Sequence, residues 1–315
     1  MLRRKRPSVP KQRSIQQAKP PMATSSRMSS WDHPSHPYAG RTAILSTKHD
    51  KLPLIGPAIE RAVGLRVDAV AVDTDTLGTF TGDIPRLRTP LETAVAKARL
   101  GMSITGQELG IASEGSIGPD PAVPFVIADR ELVVLVDDDA GIVVWETHSS
   151  WDIVTATATV SPEENLEAFI RQARFPGHKL IVRPNNGPVH PIRKGISTLG
   201  ELTIAIKDCA AVAIDGLALV ETDLRAHACP SRRAVIANAA ERLARRIAAR
   251  CTRCGAPGWG QVDVLVGVPC ANCGTDVARV RAEIDGCTAC EHRETRPIIS
   301  LETYGDPGEC PNCNP

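Results

Sequence analysis

Eight of the ten cysteines sit in four Cys-x-x-Cys pairs: Cys251/Cys254, Cys270/Cys273, Cys287/Cys290 and Cys310/Cys313. Two intervening residues make a knuckle that aims both thiolates at one ion. Gly255 and Gly274, directly after two of the pairs, permit the turn. Fifteen residues separate the first two pairs and nineteen the last two, both within the usual spacing of a tetrathiolate zinc site. Four thiolates satisfy tetrahedral Zn2+ and leave no open coordination position, so such a site is structural. Two of them are expected, in a double zinc ribbon over residues 249–315. This tail is poor in core residues, so metal binding supplies most of its folding energy. Consecutive pairing fits the spacing. A cross-braced arrangement, first pair with third and second with fourth, uses the same ligands and stays open. The competing chemistries are redox pairs and disulfides, but a thioredoxin-type site uses one such pair at a helix start rather than four in tandem. Arg279, Arg281, Arg293 and Arg296 could touch phosphates. Glu283, Asp285, Glu291 and Glu294 are interspersed, so a protein partner fits the tail as well as nucleic acid does.

Oxygen and nitrogen chemistry gathers in four segments ahead of the tail. Ser46-Thr47-Lys48-His49-Asp50-Lys51 combines small hydroxyls with a lysine at a helix start, a combination that can cradle phosphate. Glu92-Thr93, with Lys97 and Arg99 behind it, opens an Ala-rich helix whose dipole favours an anion in the first turn. Glu114, between small residues in Ala112-Ser113-Glu114-Gly115-Ser116, stands after a strand, where hard Mg2+ finds oxygen and room for substrate phosphates. Glu221–Arg233 places two carboxylates, His227 and three arginines between a strand and a helix. In it Glu221 and Asp223 share a face if the strand persists and complete a metal site with Glu114. Arg225 or Arg232 clamps phosphate bidentately. Ordinary turns, a solvated helix face and a salt-bridge network are the bland readings of the same segments. Cys209 reads as a core thiol on an apolar helix. Cys229, near His227, reads as either a core thiol or a nucleophile.

Taken in order, Ser46, Thr47 and Lys51, then Glu92, Thr93, Lys97 and Arg99, then Glu114 and Gly115 resemble the inosine-triphosphatase-like superfamily over about residues 41–120. That group includes the noncanonical purine nucleoside triphosphatases, and the Maf proteins are similar. The resemblance implies that Lys51 binds phosphate, Glu114 holds Mg2+ or positions water, and Glu92 assists the metal. Lys48 stands where the superfamily typically has Asn, and its later base-recognition motif is replaced by Glu221–Arg232. From about residue 39 to 315, the phrases Thr79-Phe80-Thr81-Gly82, Ala112–Ser116 and Glu221–His227 ahead of four cysteine pairs also resemble an uncharacterised bacterial family, a domain of unknown function.

The elements that position these residues alternate. Strands are expected at 41–47, 66–72, 109–112, 131–136, 141–145, 179–183 and 217–221, with helices at 54–63, 91–102, 162–173, 199–212 and 231–250. Strands alternating with helices give an α/β fold with a mixed sheet flanked by helices, over residues 39–248. Asp137–Asp139 reads as a solvated hairpin tip. Residues 1–38 are rich in Pro, Ser, Lys, Arg and Gln and read as a disordered arm. They are either a basic arm for nucleic acid or an extension ahead of a start at Met22 or Met28.

With 42% hydrophobic and 23% charged residues, the 315-residue chain can bury a real core. Aromatics are only 3%, too few for a base-stacking platform. A net charge of +1 gives no general attraction to nucleic acid or membrane. No run reaches the about 18 apolar residues of a membrane span. The paired cysteines without an apolar leader suggest a reducing cytoplasm. The expected function is a Mg2+-dependent hydrolase of a nucleotide-like phosphoanhydride, held together by structural zinc. Its rival is a non-catalytic nucleotide-sensing or nucleic-acid- or protein-binding zinc-ribbon protein.

Overall fold

In the computed structural model, residues 36–72, 88–298 and 303–315 are described. The N-terminal arm therefore lies outside the described residues up to 35, as does Thr79-Phe80-Thr81-Gly82. Among the described residues the order begins with β1 (Thr42–Ser46), α1 (Leu52–Val63), β2 (Arg66–Val70), α2 (Pro90–Thr105) and β3 (Leu109–Pro119). The strands β4 (Ile127–Asp137) and β5 (Ile142–Ser150) complete a five-stranded sheet in the order β2-β1-β3-β4-β5. β1 pairs in parallel with β2 and β3, whereas β3, β4 and β5 form an antiparallel ladder. The sheet is mixed and flanked by helices, as the alternating elements imply.

Helix signals in the sequence account for the flanking layers. Thr89 caps α2 and Glu92 returns the bond to the Thr89 backbone, a capping box behind Pro90. Thr198 and Glu201 do the same for α4 (Leu199–Val212). Gly64 ends α1 in the left-handed conformation, where a side chain would be strained. Ile55, Ala58, Ile59 and Val63 of α1 meet Val133 and Leu135 of β4 on one face, together with Ile236, Ala239, Leu243 and Ile247 of α5 (Pro230–Ala248). Ala94, Ala98 and Met102 of α2 meet Ala112, Leu132, Val134 and Val136 on the other. β4 is thus buried on both sides, and its continuous apolar run Leu132–Val136 reflects that.

Between β5 and α5 the chain builds a second, antiparallel sheet from β6 (Thr157–Val160), β7 (Leu180–Pro184), β8 (Arg193–Ile196) and β9 (Ala218–Thr222), in the order β6-β9-β7-β8. It has its own core against α4, including Leu180, Val182, Val220, Leu202 and Ile206. β6 and β8 are absent from the sequence reading. Each has four residues, too few for alternation to stand out.

Three other expectations are corrected. The helix expected over 162–173 is only α3 (Glu167–Gln172), because Glu164 turns back to accept from the Ser161 N–H at 3.1 Å and the helix starts after it. β3 does not stop at Ala112 but runs to Pro119, its Gly110, Gly115 and Gly118 imitating turn residues. Asp137 is not at a solvated tip. It is buried at the end of β4, accepts from Ala140 N–H at 3.0 Å and lies 3.6 Å from Arg41.

Gly110 shows how closely α2 lies on the sheet. A Cβ there would stand 2.9 Å from the Ala98 carbonyl and 2.5 Å from the Met102 sulfur. Gly110→Ala should therefore destabilise the protein by about 1–3 kcal/mol, read as a lower denaturant midpoint.

Candidate functional site

β1 pairs with β3 only at Ile44–Gly110 and Leu45–Ile111, while β3 runs on beside β4. Among the described residues, that edge of β3 is therefore unpaired beyond β1. It lies where α1 and α2 depart to opposite faces, the position at which open α/β sheets bind ligands. Lys51, at the start of α1, reaches across this gap and donates to Ser113 Oγ at 2.8 Å. Burial pushes its ammonium down to about 8, with Arg232 and Lys97 acting the same way and Glu131 and Glu114 opposing. Next to Ser113 on the opposite face, Glu114 accepts from Lys97 Nζ at 2.5 Å. Lys51 and Glu114 thus flank this edge of β3, one on each face.

Sequence reading missed the other half of this cluster, Asp129 and Glu131. Both point to the α5 face of β4, continuing the inward positions of Val133 and Leu135. That period-two phase was the available signal, and for Asp129 it was hidden because β4 was expected to start at Glu131. Glu131 Oε1 accepts from Arg232 Nε at 2.6 Å, and Arg232 Nη1 also donates to the Leu224 carbonyl at 2.7 Å. Only glycine fits opposite this pair. A Cβ on Gly115 would lie 2.3 Å from Glu131 Oε1 and 2.5 Å from Arg232 Nη2. Both oxygens of Asp129 and Oε2 of Glu131 are buried without a hydrogen-bond partner among the described residues, as are Ser46 Oγ and Thr93 Oγ1. Burial, then the Glu131 charge, raises the Asp129 carboxyl to about 7 against the pull of Arg232 and Lys51.

The second sheet supplies a facing wall. Asp223 is fully buried and gripped by Arg225, whose Nε and Nη2 donate at 2.9 and 2.6 Å. Its carboxyl is held below the usual range: burial pushes it up, but the bonds from Arg225 win. His227 contacts His49 with ring centroids 5.1 Å apart. Thr47 Oγ1 accepts from His49 N–H at 3.4 Å. The metal site imagined from Glu114, Glu221 and Asp223 does not form. Glu221 lies 3.6 Å from Arg183, Asp223 is bound by Arg225, and the groups of three or more metal-ligating side chains among the described residues are both made of cysteines. Glu92 is likewise engaged elsewhere, exposed in its capping box. Cys229 is buried, and burial raises its thiol above the ordinary value. Its sulfur touches Ser231 Oγ at 3.4 Å, and Ser231 bonds His178 at 3.1 Å, joining α5 to the second sheet. Cys209 is buried in the second core, as its apolar helix suggests.

The tail is built on β10 (Gly260–Pro269), β11 (Asp276–Gly286) and β12 (Arg293–Pro297), an antiparallel sheet in that order. Its cysteines form two tetrads, Cys251/Cys254/Cys287/Cys290 and Cys270/Cys273/Cys310/Cys313. The pairing is therefore cross-braced. The reason is strand length: ten extended residues in β10 carry Cys254 and Cys270 about 30 Å apart. Antiparallel pairing instead sets Gly260 beside Gly286, so the knuckles flanking them meet. Sulfurs stand 3.9 Å (Cys251–Cys290), 3.5 Å (Cys254–Cys287), 3.9 Å (Cys270–Cys313) and 3.6 Å (Cys273–Cys310) apart. A tetrahedral ion with metal–sulfur bonds of about 2.3 Å requires about 3.8 Å. Gly255 and Gly274 take positive φ at the predicted knuckles. Backbone N–H groups of Ala289 and Cys290 point at Cys287 Sγ, both at 3.3 Å, as a thiolate requires.

The tetrads are not equivalent. Cys254 and Cys287 pack against the main core, and Arg246 of α5 ties Gly258 and Glu146 at 3.3 and 3.0 Å. The far tetrad has a small cluster of its own with Val277.

An α/β sheet with a buried charge cluster at its switch point, joined to a tail of two interleaved cysteine tetrads that could each hold a metal ion, defines the class of protein. The chain belongs to the family described as a domain of unknown function (DUF6671), which it matches over residues 97–315. No curated protein and no solved structure matches it. The match takes in Lys97, Glu114, Glu131, Arg232 and both tetrads. β1 and Lys51 precede it. No helix among the described residues is long and apolar enough to cross a membrane.

Two outcomes follow. Cys254→Ser and Cys273→Ser should each leave one bound metal ion in place of two by elemental analysis. The first should lower the melting temperature of the whole protein, and the second should loosen only the hairpin end by hydrogen exchange. For Asp129 the folded form holds its proton above the unfolded pKa near 3.9, so its contribution is present at low pH and lost as pH rises to about 7. Asp129→Asn should gain stability over the parent between pH 5 and 7, with the difference level above that, measured by urea midpoints.

Proposed function

We propose that the switch-point crevice binds a nucleotide-like phosphoanhydride and hydrolyses it with Mg2+, and that the tail carries two structural Zn2+ ions. The observation that carries the first part is Lys51. Its ammonium is buried at the open strand edge with Ser113 at 2.8 Å and the Glu114 and Glu131 charges in range. Folding gains little from burying an ammonium with so few hydrogen bonds. Contact with substrate phosphate gives that burial a purpose. The likeness to the inosine-triphosphatase-like superfamily points to the same Lys51 and Glu114.

In this reading Lys51 holds a phosphate, with Lys97 and Arg232 lending positive charge, and Glu114, here bonded to Lys97 at 2.5 Å, would hold the cation. Mg2+ takes one or two carboxylates plus phosphate oxygens, which suits a site with few ligands. When bound, it supplies charge neutralisation and activation of water. Asp223 acts by fixing Arg225, and Glu92 has only its capping role. Zinc suits the tail because each tetrad is all sulfur, tetrahedral in spacing and closed.

One observation favours the second reading, a nucleotide-binding protein that does not hydrolyse. Glu114 and Asp223 both already carry ion pairs, to Lys97 and Arg225. The proposal does not extend to nucleic acid on the tail, since Arg296 is neutralised by Glu283 and, at 3.3 Å, by Asp285.

A phosphate-release screen over ordinary and damaged nucleotides with Mg2+ or Mn2+ separates the two. Hydrolysis predicts turnover that Glu114→Gln lowers by about 100-fold or more. Binding without release, or a variant with full activity, contradicts it.

A further inference from the structure

We propose that Asp129 and Glu131 hold a divalent cation of the hard, oxygen-seeking class, Mg2+ or Mn2+, at a site distinct from Glu114. The inference deepens the phosphoanhydride reading and takes its purpose from it, since it gives that chemistry a second pair of carboxylates.

The two acids continue the inward face of β4. Leu135, Val133, Glu131 and Asp129 follow one another at every second residue, on the side where Val133 and Leu135 meet α5. The register sets Glu131 beside Gly115 of β3 and His148 of β5, and Asp129 beside Ile117 and Ser150. Glu114 lies on the other face, with Leu132 as its neighbour on β4 and Lys97 of α2 bonded to it. Asp129 and Glu131 are both 0% exposed. Residues two apart on a strand stand about 7 Å from each other, a span that these two side chains can close on one ion. Of the charges acting on Asp129, that of Glu131 is the strongest. Gly115 keeps the space open, since a Cβ there would lie 2.6 Å from Glu131 Cδ.

The nearby cations are committed elsewhere. Arg232 Nε donates to Glu131 Oε1 at 2.6 Å, and its Nη1 donates to the Leu224 carbonyl. Lys51 Nζ donates to Ser113 Oγ. Three of the four carboxylate oxygens, Asp129 Oδ1 and Oδ2 and Glu131 Oε2, are buried without a hydrogen-bond partner among the described residues. Carboxylates stripped of water need a compensating positive partner, the more so side by side. One proton would serve one of the three oxygens. A divalent cation draws on both carboxylates at once. Mg2+ is commonly held by one or two carboxylates, with waters and substrate phosphates in its other positions, so this pair is enough. An all-oxygen donor set suits Mg2+ or Mn2+ rather than a thiolate-bound metal. At Glu114, by contrast, a cation competes with the ammonium of Lys97, 2.5 Å away.

Charge balance gives the cation its role. Without it, Lys51 and Arg232 are offset by Glu131 and Asp129. With it, the cluster carries an excess of positive charge, as an incoming phosphoanhydride requires. Phosphate should therefore bind together with the cation or after it.

Mn2+ alone, without nucleotide, is the probe. The full-length, zinc-loaded protein is titrated at mildly alkaline pH, where protons do not compete for the carboxylates. The EPR signal of free Mn2+ is followed. One Mn2+ per chain should bind, and Mg2+ should displace it. Asp129→Asn should weaken this binding by about tenfold or more. Glu114→Gln should leave it unchanged, because without phosphate Glu114 stays bonded to Lys97. A urea midpoint for Asp129→Asn at or above that of the parent separates loss of the cation from loss of the fold. In the parent itself, bound Mn2+ should broaden the amide signals of Asp129 and Ser150 more than those of Thr93 and Lys97. Absence of bound Mn2+ overturns the site, as does binding that survives Asp129→Asn or that Glu114→Gln abolishes. The result is independent of turnover. Asp129-dependent Mn2+ in a protein that releases no phosphate keeps the site and removes the hydrolase, and turnover without such binding does the reverse.

Discussion

Four sulfurs can share one tetrahedral ion only if they lie within about 4 Å of one another, and an extended strand forbids that for cysteines at its two ends. This conflict organises the tail. β10 separates the first two knuckles, so each finds its partner across the sheet instead of along the chain. Interleaving has a mechanical consequence. One tetrad gathers the knuckle leaving α5 with the turn between β11 and β12, and its cysteines Cys254 and Cys287 are continuous with the main core. The other closes the far end around Val277 and the final residues. The near tetrad lies where the tail meets the body, and the far tetrad lies at the other end of the hairpin.

The body carries a second conflict, between burial and charge. Lys51, Arg232, Glu131, Glu114 and Asp129 meet at the end of β1, where a purely structural fold would place aliphatic side chains. Pairing relieves part of the penalty. Arg232 binds Glu131, and Gly115 leaves the space for them. Asp129 and Lys51 are relieved less, and their shifted pKa values register the difference. Natural cores keep unpartnered buried carboxyls rare. Asp129, with Glu131 Oε2 on the same face of β4, is such a case among the described residues, and the proposed crevice rests on it. The helix α5 connects the two conflicts. Its first turn holds Arg232 in the crevice, and its last leads into the near tetrad.

Legibility in the sequence followed the locality of each signal. The knuckles, their glycines and the eight paired cysteines were plain because two residues of spacing fix them. Their pairing was not, because it depends on how far β10 runs before turning. The Thr89 cap and the α2 start were legible, yet the same capping box took Glu92 from the site it was assigned to. Lys51 and Glu114 were read from their own segments, a lysine at a helix start and a carboxylate after a strand, and again from the resemblance, whereas Asp129 lay ahead of the expected start of β4 and Glu131 stood at that start. Asp223 and Glu221 looked like one metal-binding pair. Arg225 and Arg183, on different elements, divide them, which no local pattern records.

Substituting both ions with NMR-active cadmium and correlating each metal with cysteine β-protons tests the interleaving most directly. One resonance should connect to Cys251, Cys254, Cys287 and Cys290, and the other to Cys270, Cys273, Cys310 and Cys313. A single resonance coupled to Cys251, Cys254, Cys270 and Cys273 would contradict it.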